Sequence, residues 1–196
     1  MLKRTFDIIA SFIGIIICLP FLIVISVIVI FDSKGGAFYK QRRVGRNNQD
    51  YILFKFRTMK SNAEKGGLIT IGKRDNRITG VGLFLRKFKL DELPQLLNVL
   101  KGDMSIVGPR PEVRKYVEMY DYNQMKVLSV RPGLTDYSSI EYINENEILG
   151  NVENPEEVYI NEIMPSKLKL NLKYIKEKSF AVDLKIIFNT IGKIFS

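Results

Sequence analysis

The first stretch of the chain is almost entirely apolar. Residues Ile8 to Phe31 run for 24 positions without a charged side chain, a length typical of a helix that crosses a bilayer. Pro20 lies in the middle of this run, where proline removes a helical hydrogen bond and bends the axis. Each half reaches only about 18 Å, which is short of a hydrocarbon core of roughly 30 Å.

Basic residues flank this apolar run on both sides. Lys3 and Arg4 precede it, and the basic residues that follow it are Lys34, Lys40, Arg42, Arg43 and Arg46. Because positive charge prefers the cytoplasmic side of a membrane, the pattern favours a helix that breaks at Leu19-Pro20 and returns to the side it entered from. A kinked transmembrane helix is the alternative. We expect residues 1–32 to form this re-entrant membrane segment and residues 33–196 to form a cytoplasmic domain.

The pattern changes to short elements after Asp32. Two runs rich in aromatic and aliphatic residues flank the turn Gly45-Arg46-Asn47-Asn48 and predict a β-hairpin. Its strands carry four basic residues, which are Lys40, Arg42, Lys55 and Arg57. These charges either face an anionic ligand or simply keep solvated strand edges apart. Residues 61–80 are polar and predict a loop, and a short apolar helix or turn carrying Arg86 follows.

Further helices are predicted in the rest of the chain. Asp91 is suited to cap a helix that has Pro94 in its first turn and ends at Gly102. Val113 to Val130 has the spacing of an amphipathic helix. In the tail, residues 167–196, one helical face carries Leu184, Ile187, Phe188, Ile191 and Phe195. Seven lysines between residues 167 and 193 indicate an amphipathic interfacial membrane helix, with a core helix as the alternative. The fold class is α/β, mostly helical with one small hairpin.

The composition excludes several kinds of site. The chain contains no histidine, no tryptophan and a single cysteine, Cys18. A Ser-His-Asp triad, a Cys-His dyad, a zinc site built on His and Cys, and an intrachain disulfide are therefore impossible. A catalytic metal would have to be a hard ion with oxygen ligands, most plausibly Mg²⁺.

The charge is unevenly distributed along the chain. The formal net charge is +9, which suggests an anionic partner such as nucleic acid, a phosphorylated small molecule or a lipid surface. Eight Lys and Arg lie between Lys34 and Lys60 against one acid, whereas residues 135–165 contain eight acids and no basic residue. This polarity fits a protein with one face on a negative surface and the other face turned away from it.

An acidic pair, Asp91 and Glu92, stands shortly before a rigid turn at residues 108–111 that fixes the direction of Arg110. Phosphoryl transfer needs cations on the non-bridging oxygens and an aligned nucleophile. In a chain without histidine, an aspartate that forms an acyl phosphate can be that nucleophile. The other interpretation is that the pair is a solvated helix start.

Three motifs resemble those of one bacterial family. They are "FRTM" at residues 56–59, "LDELPQLLNVLKGDMSIVGPRP" at residues 90–111 and "RPG" at residues 131–133. The family is the bacterial sugar transferases, the monotopic phosphoglycosyl transferases. The similarity extends from the N-terminal apolar segment into the tail, and the short chain is similar to the catalytic-domain-only form of the family.

This resemblance implies a reaction and roles for particular residues. A UDP-sugar gives its phosphosugar to polyprenyl (undecaprenyl) phosphate and releases UMP, on the cytoplasmic face of the bacterial inner membrane and without nucleic acid. Asp91 matches the covalent nucleophile and a Mg²⁺ contact, and Glu92 matches its partner as base, metal ligand or orienting group. Arg110, between Pro109 and Pro111, resembles a phosphate anchor. The supporting cations are Lys55, Arg57 and Arg86.

The chain also departs from the family pattern. Leu19-Pro20 stands where many relatives have Ser-Pro at the helix break. After "RPGLT" many members continue with Gly-Trp and an Asn-Gly-Arg element, whereas residues 136–149 here read "DYSSIEYINENEIL". That segment leaves the choice of sugar open. A membrane-anchored basic protein that binds lipid or nucleic acid without catalysis is the alternative function.

Overall fold

A computed structural model describes residues 2–63, 67, 69–72 and 75–195. The helices are α1 (Leu2–Asp32), α2 (Gly80–Lys87), α3 (Gln95–Lys101), α4 (Arg114–Val117), α5 (Tyr137–Glu141), α6 (Glu145–Gly150), α7 (Pro155–Val158), α8 (Met164–Glu177) and α9 (Phe180–Phe195). The strands are β1 (Phe38–Val44), β2 (Asp50–Phe56), β3 (Ser105–Val107) and β4 (Gly133–Thr135). A mostly helical fold with a small β-hairpin is therefore confirmed.

Helix α1 is continuous through Pro20. The predicted break of the helix at Leu19-Pro20 is therefore wrong. Proline removes one hydrogen bond there, but the backbone on both sides stays helical. An 18-residue window of α1 has a mean hydropathy of 3.3, and only 6% of it is buried. The helix is long and apolar enough to cross a membrane, and its course in a bilayer stays a prediction.

Two cationic side chains tie the N-terminal end of α1 to the rest of the protein. Arg4 donates through Nη1 to the carbonyl of Val99 at 2.7 Å and through Nη2 to that of Leu100 at 2.9 Å. These carbonyls lie in the last turn of α3, where helical carbonyls lack partners. Lys3 pairs with Asp183 of α9 at 2.6 Å.

Contacts continue along α1 to its C-terminal end. Buried Asp7 accepts hydrogen bonds from the Ser105 hydroxyl at 2.9 Å and from the Ile106 nitrogen at 3.0 Å, on strand β3. Near the other end, an apolar cluster joins α1, β2 and α2, and its buried members are Val29, Phe56 and Leu85. Both ends of α1 therefore contact the same folded unit.

The predicted hairpin is confirmed. Strands β1 and β2 are antiparallel, with Phe38 opposite Phe56 and Val44 opposite Asp50. The connection bends at Asn47, which has a φ of 57°, a left-handed conformation that asparagine tolerates better than most residues.

The free edge of β2 is bonded to α3 by one side chain. The amide of Asn98 accepts from the Phe54 nitrogen at 3.0 Å and donates to the Ile52 carbonyl at 2.7 Å. Asn98 is completely buried, so this amide replaces a strand partner where water cannot reach. It fixes the segment that follows Asp91 against the strand that carries Lys55.

A short parallel pair, β3 and β4, supports the Pro-Arg-Pro turn. Ser105 is opposite Gly133 and Val107 is opposite Thr135. Gly108 lies directly after β3 and packs its backbone on Gly133: a Cβ on Gly133 would lie 2.1 Å from the Gly108 nitrogen. This pairing joins residues that are far apart in the chain, and it explains the glycine of the "RPG" motif.

Two helical predictions need correction. Asp91 does not cap α3; it lies in a 3-10 turn, Leu90–Glu92, and Pro94 takes the cap position before Gln95. The predicted helix from Val113 to Val130 is divided into the four residues of α4 and a 3-10 helix at Gln124–Ser129. Between them the Asp121 carboxylate accepts from the backbone nitrogens of Asn123 and Gln124 at 2.7 and 2.8 Å, which holds the backbone in a turn.

The tail forms two helices that are partly core. Tyr174 of α8 and Ile186 of α9 are buried in one cluster with Val107, so the face centred on Ile186 packs inward. Phe188 and Ile191 on α9 are 69% and 49% exposed. The side chain of Phe195 lies outside the described residues. The tail is therefore partly a pair of core helices, and α9 also has an exposed apolar face, as an interfacial helix would. Contact of that face with lipid stays a prediction.

Candidate active site

Asp91 lies in the wall of a cavity of about 840 Å³. The backbone turns sharply just before Asp91 because Lys89 has a φ of 56°. This turn directs the Asp91 side chain inward between α2 and α3. Asp91 is 6% exposed, and its Oδ1 has no hydrogen-bond partner in the part of the chain that the structure describes. A buried carboxylate oxygen without a partner is costly, which marks it as a site for a ligand.

Glu92 is bonded to two cations in the same cavity. Its Oε1 accepts from Arg110 Nη2 at 2.6 Å and from Lys55 Nζ at 3.3 Å. The turn at residues 108–111 thus directs Arg110 back towards the acidic pair. Because both cations share one carboxylate oxygen, Glu92 fixes their positions relative to Asp91.

The two adjacent carboxylates have pKa values shifted in opposite directions. Burial, and then the neighbouring charge of Glu92, raise the pKa of Asp91. Burial also opposes ionisation of Glu92, but Arg110 and Lys55 outweigh it and lower the pKa of Glu92 well below its usual value. In turn, the Glu92 carboxylate raises the pKa of Arg110. Glu92 therefore stays ionised and is a poor general base, whereas Asp91 carries the less stabilised charge.

The other predicted cations lie around this pair. Arg86 donates through Nε to Thr58 at 2.9 Å and through Nη1 to Thr70 at 3.0 Å, which holds its guanidinium beside Asp91. Arg57 also lines the cavity, although it donates to the Lys34 carbonyl at 2.8 Å at the exposed rim.

The structure separates the remaining predicted site residues. Pro111 lines the cavity, whereas Pro109 lies behind the turn, where its carbonyl accepts from the Gly133 nitrogen at 2.9 Å. Lys40 and Arg42 are exposed on the opposite face of β1. Leu19 and Pro20 lie on the exposed part of α1, away from the cavity.

A second group of charged side chains lines the same cavity and was not predicted from the sequence. We call it the neutral cluster, and its members are Arg43, Glu112, Glu145, Tyr159 and Lys167. Arg43 donates to Glu112 at 2.9 Å and to the Pro111 carbonyl at 3.0 Å. Tyr159 donates to the other oxygen of Glu112, and Lys167 donates to Glu145 at 2.7 Å.

The signals for this cluster in the sequence are weak. Arg43 belongs to the basic hairpin, and Glu112 directly follows the Pro-Arg-Pro turn. Glu145, Tyr159 and Lys167 come from α6, a π-helical turn at Tyr159–Ile163, and α8. No local motif connects these three residues, because only the tertiary fold brings them together.

The residues present fit Mg²⁺. Within the described residues, no three Asp, Glu, His or Cys side chains group as a metal site. Mg²⁺ does not require such a group, because it commonly binds one or two carboxylates and takes its other oxygens from water and substrate phosphates. The unpartnered Oδ1 of Asp91 suits that role.

Comparisons with known proteins identify the family. The family model for bacterial sugar transferases matches residues 1–196. A UDP-N-acetylgalactosamine-undecaprenyl-phosphate N-acetylgalactosaminephosphotransferase of Aeromonas hydrophila is 35% identical over 100% of this chain and 44% of its own length. A UDP-glucose:undecaprenyl-phosphate glucose-1-phosphate transferase of Klebsiella pneumoniae is 38% identical over 98% of this chain and 40% of its own length.

A third relative is closer in length. An uncharacterised sugar transferase of Bacillus subtilis (strain 168) is 36% identical over 99% of this chain and 87% of its own length. The chain spans less than half of the Aeromonas and Klebsiella proteins. The family model matches every residue of the chain, and the cavity is built around the acidic pair and the Pro-Arg-Pro turn. We conclude that this chain belongs to the bacterial sugar transferase family.

Proposed function

We propose that the protein transfers a phosphosugar from a UDP-sugar to polyprenyl phosphate through a covalent intermediate on Asp91. The observation that carries the proposal is the buried, unpartnered Oδ1 of Asp91 in a cavity that also holds Lys55, Arg86 and Arg110. The names of the Aeromonas and Klebsiella relatives support the donor and the acceptor.

The first step forms an acyl phosphate. An Asp91 carboxylate oxygen attacks the phosphorus that carries the sugar, the bond from that phosphorus to the bridging oxygen breaks, and UMP leaves with that oxygen. Charge on the non-bridging oxygens is balanced by Arg110, Lys55 and Arg86. Mg²⁺, when bound, would supply further positive charge to the diphosphate. Glu92 takes the role of the orienting group, because it holds both Arg110 and Lys55.

The second step regenerates the carboxylate. A phosphate oxygen of polyprenyl phosphate attacks the same phosphorus, the bond to Asp91 breaks, and the sugar leaves on a polyprenyl diphosphate. Burial of Asp91 keeps bulk water from hydrolysing the intermediate before the lipid arrives.

The membrane part of the proposal rests on α1. The helix keeps most of its apolar surface exposed, yet both of its ends contact one folded unit. A helix that crosses a bilayer separates its ends by about 30 Å of hydrocarbon, which does not suit those contacts. Because α1 is continuous, a return to the same side requires a bend at Pro20. The contacts at both ends, together with the basic flanks, support such a bent re-entrant helix with the cavity on the cytoplasmic face of the bacterial inner membrane.

The deciding experiment traps the intermediate. Purified protein is incubated with Mg²⁺ and either UDP-glucose or UDP-N-acetylgalactosamine, without acceptor, and its intact mass is measured. We expect a gain of one phosphosugar on the wild type and none on Asp91→Asn. Glu157→Gln changes an exposed acid outside the cavity and should behave as wild type.

Adding polyprenyl phosphate should then remove the adduct and produce a lipid-linked sugar. Steady-state transfer by pure Asp91→Asn would exclude the covalent role. Failure of the wild type to release UMP from any donor in a panel of UDP-sugars, with acceptor present, would favour a non-catalytic binding protein instead.

A further inference from the structure

The side chains of the neutral cluster are largely enclosed by the cavity wall and do not form a solvated surface. Lys167 and Glu112 have side chains that are 12% and 16% exposed, and Arg43 and Glu145 are 19% and 25% exposed. Each charge has a partner of opposite sign. Side chains this enclosed have few rotamers available, so their donor and acceptor atoms are preorganised.

The charge of the cluster differs from that around Asp91. Two cations, Arg43 and Lys167, balance two carboxylates, Glu112 and Glu145. Phosphate is repelled by the carboxylates and is better placed beside Asp91, where Lys55, Arg86 and Arg110 outnumber the acidic pair. A balanced group of donors and acceptors suits a neutral ligand rich in hydroxyl groups, because each hydroxyl both donates and accepts.

The cluster adjoins the position of the phosphates. Arg43 binds the carbonyl of Pro111 at 3.0 Å, directly after Arg110 in the chain. Glu145 is also among the carboxylates that, after Glu92, raise the pKa of Arg110. A group attached to a phosphate held by Arg110 can therefore reach these side chains.

The cluster is poorly suited to a nucleobase. Its one aromatic ring, Tyr159, is covered by the Lys167 ammonium at 5.4 Å and packs on the Tyr116 ring at 5.0 Å. Burial, and then the Glu112 carboxylate, raise the pKa of Tyr159, so its hydroxyl stays protonated and acts as a donor. The cluster offers hydrogen bonds and no open ring face for stacking.

The wall formed by residues 136–149 combines polar and apolar side chains. Ser138, Ser139 and Asn146 line the cavity together with Ile140, Tyr142 and Ile143, and this is the segment that departs from the family pattern. The Asn146 carbonyl accepts from the Gly72 nitrogen at 2.8 Å, which joins this wall to the loop that contacts Arg86 through Thr70.

We propose that the neutral cluster is the subsite for the sugar of the donor, with Glu145 and Lys167 bonding its hydroxyl or acetamido groups. This inference rests on the transferase function proposed above. It assigns the choice of sugar to residues that lie outside the motif of residues 90–111.

The test compares ligands with and without the sugar. The double variant Glu145→Gln/Lys167→Gln removes both charges and keeps their sum at zero, so no buried ion is left unpaired. The matched control is Lys115→Gln/Glu156→Gln, an ion pair that is 49% and 52% exposed and lies outside the cavity. For both variants we would measure the KM for a UDP-sugar, the Ki of UDP, the KM for polyprenyl phosphate and the thermal midpoint.

In the cluster variant we expect the KM for the UDP-sugar to rise about tenfold or more, since charged hydrogen bonds to the ligand are lost. The Ki of UDP and the KM for polyprenyl phosphate should stay within about twofold of wild type, and the control should change none of these constants. The ratio of kcat/KM between UDP-glucose and UDP-N-acetylgalactosamine should also change.

Two results would overturn the inference while leaving the transferase function intact. An equal rise in the Ki of UDP would mean that the cluster holds the nucleoside diphosphate, and an unchanged KM for the donor would mean that the cluster only supports the fold. If no donor yields UMP, the transferase proposal itself fails. In that case, the affinities of the two variants for UDP-sugar and for UDP, measured by calorimetry, test the sugar subsite separately. Equal losses of affinity for both ligands in the cluster variant would again refute the subsite.

Discussion

The ionised side chain of Asp91 is unfavourable in the ligand-free protein. Its pKa is raised by burial and then by Glu92, so at neutral pH the folded protein stabilises the ionised form less well than the unfolded chain does. The proposed nucleophilic role requires this ionised, poorly solvated oxygen, because a carboxylate bonded to many donors would be a weaker nucleophile.

Asp91→Asn should therefore stabilise the ligand-free fold while abolishing transfer. Below the ordinary pKa of 3.8 both proteins carry a neutral side chain, and their thermal midpoints should agree. As the pH rises through and beyond that value, only wild type acquires the buried charge. The variant's advantage should then grow to a few degrees and level off. Scanning calorimetry with a chelator present measures this, and a lower midpoint for the variant at pH 7 would contradict the assigned pKa shift.

Arg110 depends on geometry as well as on charge. Its Nη2 reaches Glu92 at 2.6 Å, which leaves the rest of the planar guanidinium to bind a phosphate. Lysine cannot offer the same fork of donors, so Arg110→Lys should lower kcat/KM by about tenfold or more. Arg114→Lys, at an exposed pair with Asp50, is the control and should retain activity. Wild-type kinetics in Arg110→Lys would show that Arg110 contacts no substrate.

At the scale of elements, Asn98 hydrogen-bonds α3 to β2, beside an apolar cluster that includes Leu53 and Val99. Asn98→Ala leaves the Phe54 nitrogen and the Ile52 carbonyl without their partner, and each buried unpaired group costs about 1–3 kcal/mol. We expect a loss of about 2 kcal/mol or more, or roughly 4–8 °C in the thermal midpoint. Asn123→Ala, at an exposed side chain, should cost little. An unchanged midpoint for Asn98→Ala would mean that water replaces the amide.

Local patterns predicted the elements that local forces determine. The hairpin follows from its two alternating runs and from asparagines that accept the left-handed turn at Asn47. The helix expected from Val113 to Val130 is not continuous, and the Asp121 side chain holds a turn between its two helical parts by accepting from backbone donors. The pairing of Ser105 with Gly133 leaves no local signal, since its hydrogen bonds join distant segments.

The candidate active site also has a part that the sequence predicts and a part that it does not. Asp91, Glu92 and Arg110 lie within one continuous motif, so sequence alone was enough to group them. The neutral cluster combines side chains from five separate segments, and Tyr159 or Lys167 taken singly is an ordinary core or surface residue. Their proximity depends on how α6 and α8 pack, which no spacing rule describes.

For the whole molecule, the attachment of α1 at both ends supports the proposed membrane topology, which labelling can test. If α1 is re-entrant, single cysteines replacing Leu2 and Lys40 in a Cys18→Ser background lie on the same side of the membrane. A membrane-impermeant thiol reagent added to intact cells should then leave both unlabelled and label both after lysis. Labelling of position 2 alone in intact cells would establish a spanning helix.

Pro20→Leu is the companion variant. It restores the hydrogen bond that proline removes and takes away the bend that proline favours, in a helix that is already long enough to cross. We expect at least part of this variant to expose position 2 to the reagent. Transfer activity should fall in proportion, because the contacts of Arg4 and Lys3 with the domain cannot form across a bilayer.

The ion pair between Lys3 and Asp183 joins groups separated by 180 positions, and this has a consequence for biosynthesis. A ribosome adds roughly 5 to 20 residues per second, so Lys3 is made about 9 to 36 seconds before its partner exists. If α1 enters the membrane as it is made, it does so without its contacts to α9. Its orientation would then be selected by its own flanking charges and by Pro20. The docking of α9 would come last and stabilise an orientation that the nascent chain had already adopted.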